Sequence, residues 1–485
     1  MSSPNVKKNF ALSTAYQLLT LLTPFITAPY VSRVLGAEGI GIYSYTASVQ
    51  MYFSMFAALG TMSYGAREIA RARGNKRQTS RLFWEIAALS ALSSLVCIAG
   101  WGVWIYFHVQ YRMIYLVLTL SLLGTMADIS WFFTGQEQFK YIVVRNTLVR
   151  IAGILLLFLF VRERSDLVLY IFLMSLTHLL GTLSMWMYIP RMVFRPCLRE
   201  FRLWMHLRET LVYFVPTVAA SLYTVLNKVL IGAVGGDPRE NGYYEQADKI
   251  IGMAKMLAFV SLNSVMGARM SWLFGQGADE EIRRRILRSM DYVLFSGIGI
   301  VFGLVGVAPR FVPWFFGPGY DKAAGLIVLL SPIVLIIGIS NVLGSHYYNP
   351  AGLRARSARF LIYGAVTNLC VSYFLITGWQ SYGAVAGSLL AESLVTWLYL
   401  RNCDGYLTMG SIARGAWRKL AAGVVMWALM RTADSLIPDN TLAVFCEIAL
   451  GAGCYCALLL LMKDSFARYL FKEQIPGRIW KKAGR

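Results

Sequence analysis

The sequence predicts an all-α polytopic membrane protein of about fourteen transmembrane helices. Three observations lead there. Of 485 residues, 57% are hydrophobic and only 15% charged, against about 25% charged in a soluble domain. Apolar runs of about 20 residues, long enough to cross ~30 Å of hydrocarbon as a helix, recur from one end of the chain to the other. The runs also lack the apolar–polar alternation over about ten residues that a barrel strand needs.

The expected spans are 10–32, 40–62, 82–107, 113–134, 146–161, 167–189, 209–234, 243–268, 290–308, 323–345, 359–377, 381–400, 418–435 and 441–462. The opening MSSPNVKKNF runs straight into the first span with no small-residue cleavage site, so it does not read as a removable signal peptide. With that end in the cytoplasm, 34 Lys and Arg fall on the side of the termini and eight on the other. Such a bias orients both termini inward. It also accounts for the net charge of +21 through topology and anionic lipid, with no role for nucleic acid. The loops on the opposite side are short, the longest near 308–322. They leave no room for a catalytic domain, and GxxxxGK[ST] is absent. The seven cysteines are scattered and form no metal-ligand or disulfide spacing.

Two hairpins echo each other. YVSRVLGAEGIGIYSYTASV (30–49) joins spans 1 and 2, and LNKVLIGAVGGDPRENGYYEQADKI (226–250) joins spans 7 and 8. SRVLG matches NKVLIG, and GIYSYTASV matches GYYEQADKI. A weaker echo pairs WFFTGQEQFKYIVVRN (131–146) with HYYNPAGLRARSARFL (346–361). Both echoes fall at like points of a six-span unit. The expected organisation is therefore an N-lobe at 1–189, a cytoplasmic linker at 190–208, a C-lobe at 209–400, and two further spans with a basic tail at 401–485. Repeat lobes of this kind meet at a central site and rock about it.

The hairpin of spans 7 and 8 carries charges a bilayer helix should avoid. Lys228, Lys249, Lys255 and Arg269 lie in or beside it, and a charge at mid-bilayer costs roughly 2.5–3.5 kcal/mol on the mildest scales. At 100° per residue, Glu245, Asp248, Lys249, Gly252, Lys255, Asn263, Met266 and Arg269 share one face of the eighth span. Thr217, Ser221, Thr224 and Lys228 form a stripe on the seventh, beside Asn227. Asn9, Ser13, Gln17 and Thr20 form one on the first, and Thr46 and Gln50 one on the second. Single Ser and Thr residues commonly join helix to helix; the stripes together read as the lining of a wet cavity. Lys255 is the leading candidate for ligand contact, because at about twelve residues in it reaches neither surface. Lys228 reads equally as ligand contact or interface anchor. Lys249 reads equally as a partner of Glu245, and Arg269 as an ordinary inward-side residue. Asp128 and Arg150 sit at comparable depth on neighbouring spans and read as a structural pair, with a gate or coupling site as the minor reading. Glu392 and Glu447 are further buried acids within spans, each a candidate coupling site; for Glu392 a gate is the other reading. His178 and His346 read as packed histidines.

The stretch TAPYVSRVLGAEGIGIYSY (27–45) resembles the signature of the polysaccharide transporter family, the bacterial lipid-linked oligosaccharide flippases. WFFTGQEQFKYIVVRN and FFGPGY (315–320) resemble family segments at matching places. The resemblance covers nearly the whole chain, and its motifs specify the family better than the substrate. It implies two six-helix lobes around a central cavity plus two C-terminal helices, in the bacterial inner membrane, working by alternating access. The implied substrate is an undecaprenyl-diphosphate-linked oligosaccharide such as an O-antigen repeat unit. No cofactor and no enzymatic activity are expected, and a proton or sodium ion is the candidate coupling ion. Membrane lipids, a polysaccharide polymerase and a chain-length regulator are the expected partners of a monomer. The related multidrug-type exporter is the alternative; it would favour a membrane acid in the first span, and none stands at 10–32. A membrane glycosyl transferase or ligase would need a sizeable exterior loop. A non-transporting scaffold would leave the cations unexplained.

Overall fold

A computed structural model describes the backbone of residues 6–195, 202–436 and 441–470; the side chains of 6–18, 21, 139, 215–217, 219–220, 222–224, 260–268 and 435–436 lie outside the description. Every described regular element is a helix, and all fourteen expected spans fall on helices. Among the described residues, nine helical stretches are long and apolar enough by themselves to cross a membrane. The chain divides into two compact units, Met1–Gly242 and Tyr243–Arg485.

The first unit opens with α1 (Val6–Ala58), which holds the first two expected spans. They join at Gly36, whose φ of 69° lies in the left-handed region that glycine enters without a Cβ penalty. There follow α2 (Thr61–Arg71), α3 (Lys76–Phe107), α4 (Arg112–Met126), α5 (Ser130–Gly135), α6 (Phe139–Phe160), α7 (Leu167–Trp186), α8 (Ile189–Met192), α9 (Leu203–Thr224) and α10 (Leu226–Val234). The long α11 (Pro238–Gly275) starts in this unit and runs into the next.

The WFFTGQ motif proves to be a packing device. Trp131, Phe132 and Phe133 of α5 are buried in one cluster with Tyr64, Ile69, Phe83 and Ile86. A Cβ on Gly65 would stand 2.6 Å from the Trp131 ring, and one on Gly135 would stand 2.7 Å from the Ala66 carbonyl oxygen. These glycines let α2 and α5 close on each other, and the Arg73 guanidinium then reaches the Gly135 carbonyl at 2.8 Å. A second cluster joins Val49 and Ala57 of α1 to Trp101, Tyr115, Leu118 and Ile171. On α6, Leu148, Ile151, Leu155 and Leu159 are exposed at spacings of three and four. That stripe suits acyl chains, the solvent in which exposed leucines cost nothing.

In the second unit α12 (Asp279–Phe316) packs against α13 (Asp321–Leu330), α14 (Pro332–Leu343), α17 (Met409–Leu436) and α18 (Thr441–Leu461). A π-helical turn at Gly344–Tyr348 leads toward α15 (Arg354–Trp379), which pairs tightly with α16 (Ser381–Arg401). The turn buries His346, Tyr347 and Tyr348, the residues that the weaker echo aligns with Trp131, Phe132 and Phe133. The two segments therefore do the same packing work in their own units.

The C-terminal pair is fastened to α12 at both ends, at one of them through Lys419, whose Nζ lies 3.8 Å from Asp291 Oδ1 of α12. Lys419, 1% exposed, donates from Nζ to Asp464 Oδ2 at 3.0 Å and to the Gly415 carbonyl at 2.8 Å. Asp464 in turn accepts from the backbone N–H of Phe466 and Ala467, capping α19 (Ser465–Arg468). At the other end Arg310 pairs with Asp434 at 3.0 Å. Removing one member of a buried pair strands the other charge, at a cost of about 3–5 kcal/mol. Lys419→Met should lower unfolding stability in detergent by about that amount. Adding Asp464→Asn to it should restore most of the loss; a double variant as unstable as the single one would contradict the pairing.

Candidate functional site

The sequence placed its candidate residues on α10, α11, α1 and α16. On α11, Lys255 is half-buried and makes no hydrogen bond or ion pair with a described residue. Its charge acts on Glu392 of α16, which is half-buried in the same unit. Asp248 lies two turns before Lys255 on the same helix face and is half-buried. Lys249 pairs with Glu245 Oε1 at 3.2 Å, its plainer role. Arg269 is exposed, its guanidinium 4.3 Å from the centre of the Trp272 ring. A cation stacked on Trp suits the membrane interface better than a buried relay.

On the other called positions the structure is more restrictive. Asn227 is 2% exposed and Lys228 is half-buried, with its carbonyl accepting from Asn241 Nδ2 at 2.7 Å. Gln50 is buried and donates to Ser54 at 2.6 Å, and Ser54 lies 3.0 Å from the Thr125 hydroxyl. This chain of polar groups joins α1 to α4, the helix-to-helix role that single polar residues usually play. The side chains of Gln17, Thr217, Thr224 and Asn263 lie outside the described residues.

The expected pairing of Asp128 with Arg150 is not found. Asp128 accepts from the Ser130 N–H at 2.9 Å and the Ser130 hydroxyl at 2.5 Å, and its charge partner is Arg145 at 4.0 Å. The helix breaks between α4 and α5, and there Asp128 bonds to Ser130 at the start of α5 and meets an arginine more than a turn nearer the start of α6. His178 is packed as expected, with its ring 2.6 Å from where a Gly124 Cβ would stand. Glu447 is wholly buried, 3.8 Å from Arg310.

Sequence reasoning missed one polar cluster of the first unit. Glu85 of α3 and His206 of α9 are 2% and 1% exposed. The Glu85 Oε2 lies 2.8 Å from His206 Nε2, and His206 Nδ1 lies 2.6 Å from the Tyr64 hydroxyl. Arg81 Nε and the Arg202 N–H both donate to Glu85 Oε1 at 3.1 Å. The contacts join residues 121 and 142 positions apart, so no spacing in the sequence announced them.

A cavity of about 1060 Å³ opens in the second unit where α11 ends and α12 begins. Phe274, Arg283, Arg284, Tyr347, Asp404 and Tyr406 line it. Two tyrosines orient its acids: Tyr406 donates to Asp279 at 2.5 Å, and Tyr347 donates to Asp404. Burial and the Asp279 carboxylate push the Tyr406 hydroxyl up to about 12. Lys255 is not among the residues that line this cavity. Among the described residues, no three His, Cys, Asp or Glu converge to hold a metal ion.

Comparison with known proteins agrees with this architecture. The chain is 25% identical over 406 residues to a protein of Escherichia coli K12 assigned as an O-antigen transporter, covering 82% of this chain and 96% of that one. A protein of Shigella dysenteriae with the same assignment is 24% identical over 400 residues, covering 82% and 99%. Among solved structures, the fold is similar to the lipid II flippase MurJ in an inward closed conformation, with a TM-score of 0.71 at 14% identity over 94% of this chain and 99% of that one. It is also similar to an inward-facing multidrug resistance MATE family transporter of the MOP superfamily, with a TM-score of 0.59 at 13% identity over 86% and 96%. At these identities the two structures speak for the fold alone. The family model for polysaccharide biosynthesis proteins matches residues 6–270, more than half of the chain, and this multi-pass membrane protein belongs to that family.

Proposed function

We propose that the protein flips a lipid-linked oligosaccharide, carried on undecaprenyl diphosphate, from the cytoplasmic to the outer leaflet of a bacterial inner membrane. No bond is broken in such a step. The barrier is the passage of a diphosphate and its sugars through hydrocarbon, while the polyprenyl tail stays in lipid. The observation that carries the reading is Lys255, a half-buried cation with no hydrogen-bond or ion-pair partner among the described residues.

An ammonium in that position supplies counter-charge to a diphosphate. The assignment of the relatives as O-antigen transporters and the flippase neighbour support this reading. Alternating access between two rocking lobes provides the route, with both termini in the cytoplasm.

Complementation tests the proposal. Expressed in bacterial strains that each lack the flippase for a defined surface polysaccharide, the protein should restore that glycan in at least one. Failure in every strain, together with efflux of cationic dyes driven by an ion gradient, would instead favour the multidrug-type exporter.

A further inference from the structure

Lys255 does not line the cavity at the start of α12, yet that cavity is a built site. Three rings form one wall. Tyr347 and Tyr406 have ring centres 5.1 Å apart, and Phe274 lies 6.0 Å from the first and 6.2 Å from the second. Both tyrosine hydroxyls are spent on orienting acids, Tyr406 on Asp279 and Tyr347 on Asp404. Each carboxylate accepts a tyrosine hydroxyl and has lone pairs left for a second partner. Asp404 stands at φ 48° and Gly405 at φ 76°, two successive left-handed residues. A non-glycine residue in that region is strained, and such strain gathers where a site demands it. Here the strained turn brings Asp404 and Tyr406 to the same cavity. Glu280, Arg283 and Arg284 also line it, and none of them makes a hydrogen bond or ion pair with a described residue.

The first repeat shows what packing alone requires. The weaker echo aligns Tyr347 with Phe132, and Phe132 is fully buried in its own unit without a hydroxyl. A phenylalanine thus suffices for the packing, and the Tyr347 hydroxyl has another use. An aromatic wall, oriented carboxylates and free guanidinium groups together suit a saccharide. The C–H faces of sugar rings stack on aromatic rings, and sugar hydroxyls make charge-assisted hydrogen bonds with carboxylates and guanidinium forks. The size agrees. About 1060 Å³ lies at the top of the ~300–1,000 Å³ range of small-molecule sites, room for several sugar rings and far more than an ion needs. Acids outnumber bases in the lining, so a diphosphate fits it poorly.

We propose that this cavity holds the glycan head of the lipid-linked oligosaccharide before translocation, while the diphosphate and the tail stay outside it. The segments that line it, 269–289, 346–359 and 401–419, belong to the side that the basic bias places in the cytoplasm. The proposal rests on the flippase reading and goes beyond it. Sugars are read here, by their hydroxyls, at a place separate from the cation assigned to the diphosphate.

The experiment replaces Leu353, half-buried in the lining, by photo-reactive p-benzoylphenylalanine in a strain whose surface glycan the protein restores. Leu287, also in the lining, gives a second attachment point. Irradiation should attach a glycan-bearing lipid to the protein band. A sister strain that makes the sugar nucleotides but cannot load the lipid should give no adduct, which separates the lipid-linked head from free sugars. Tyr347→Phe with Tyr406→Phe keeps the rings and releases the acids. It should lower the adduct severalfold while the amount of protein stays unchanged. Export without any glycan adduct, an adduct indifferent to the double variant, or cross-linking only to protein, residues 471–485 of this chain included, would overturn the proposal. Should the protein restore glycan in no strain, the flippase reading fails, and a direct measurement still decides the cavity. Oligosaccharide released from each strain's lipid carrier is added to the full chain in nanodiscs. Saturation-transfer NMR should then show a contact that the double variant loses; no contact from any of them would overturn the glycan site as well.

Discussion

Lys255→Ala is expected to reduce glycan export to the level of a strain without the protein, while leaving its amount in the membrane unchanged. The two halves of that expectation have one cause. Lys255 makes no hydrogen bond or ion pair with a described residue, so truncation removes no such bond and relieves a charge that is costly in a membrane. The same isolation means that no described residue bonds to the ammonium. A diphosphate entering beside it gains a counter-ion where water is scarce, and each ~1.4 kcal/mol of that gain is worth tenfold in binding. Lys255→Arg should keep part of the export, since a guanidinium also pairs with phosphate, though with different geometry and reach. Surface glycan and immunoblots of membranes read the two quantities separately. Wild-type export in Lys255→Ala would remove the lysine from the mechanism; a vanished protein band would show its role to be structural. Glu392→Gln supplies the complementary control, because it leaves Lys255 in place and changes only the acid on α16.

The fold was legible because membrane spans announce themselves locally. Length and apolarity alone placed every expected span on helical structure. The site was legible only in part. A lysine twelve residues into a span stands out in any composition, and Lys255 makes no hydrogen bond or ion pair with a described residue. Polar stripes stand out too, but periodicity gives a helix face and not what the face meets. Gln50 shared its face with cavity candidates, yet it is spent on Ser54 and, through it, Thr125. Asp128 was read against Arg150 because equal depth was the available criterion. The short helix α5 lay hidden inside an apolar run, and the acid before it bonds to Ser130 and pairs with Arg145. The Glu85–His206–Tyr64 cluster left no trace, since three residues from α3, α9 and α2 share no period.

That cluster carries the second large effect. Glu85→Ala should destabilise the protein by about 3–5 kcal/mol, the range for stranding one member of a buried charged pair, as measured by reversible unfolding in mixed micelles. The carboxylate is the hub of the cluster: one oxygen meets His206 Nε2, and the other accepts from Arg81 and the Arg202 backbone. Its loss leaves buried donors of α3 and α9 unsatisfied at once, each at a cost of about 1–3 kcal/mol. Glu85→Gln should cost less, because an amide oxygen can still accept from one side. His206→Ala should cost about as much as Glu85→Ala, and the double variant little more than either, because both single changes break the same contact. Additive losses would mean that the two residues act independently despite the 2.8 Å between them. The consequence reaches past stability. His206 stands near the start of α9, just after the segment that connects α8 to the second repeat, and the Glu85 bond holds that start against α2 and α3. An alternating-access cycle needs a fixed point about which the first helix of the second repeat can swing. On the transport reading, a buried, multiply bonded anchor near one end of α9 would supply it. In Glu85→Gln, therefore, export should fall more steeply than the folded fraction does, because a loosened pivot would transmit less of the cycle's motion.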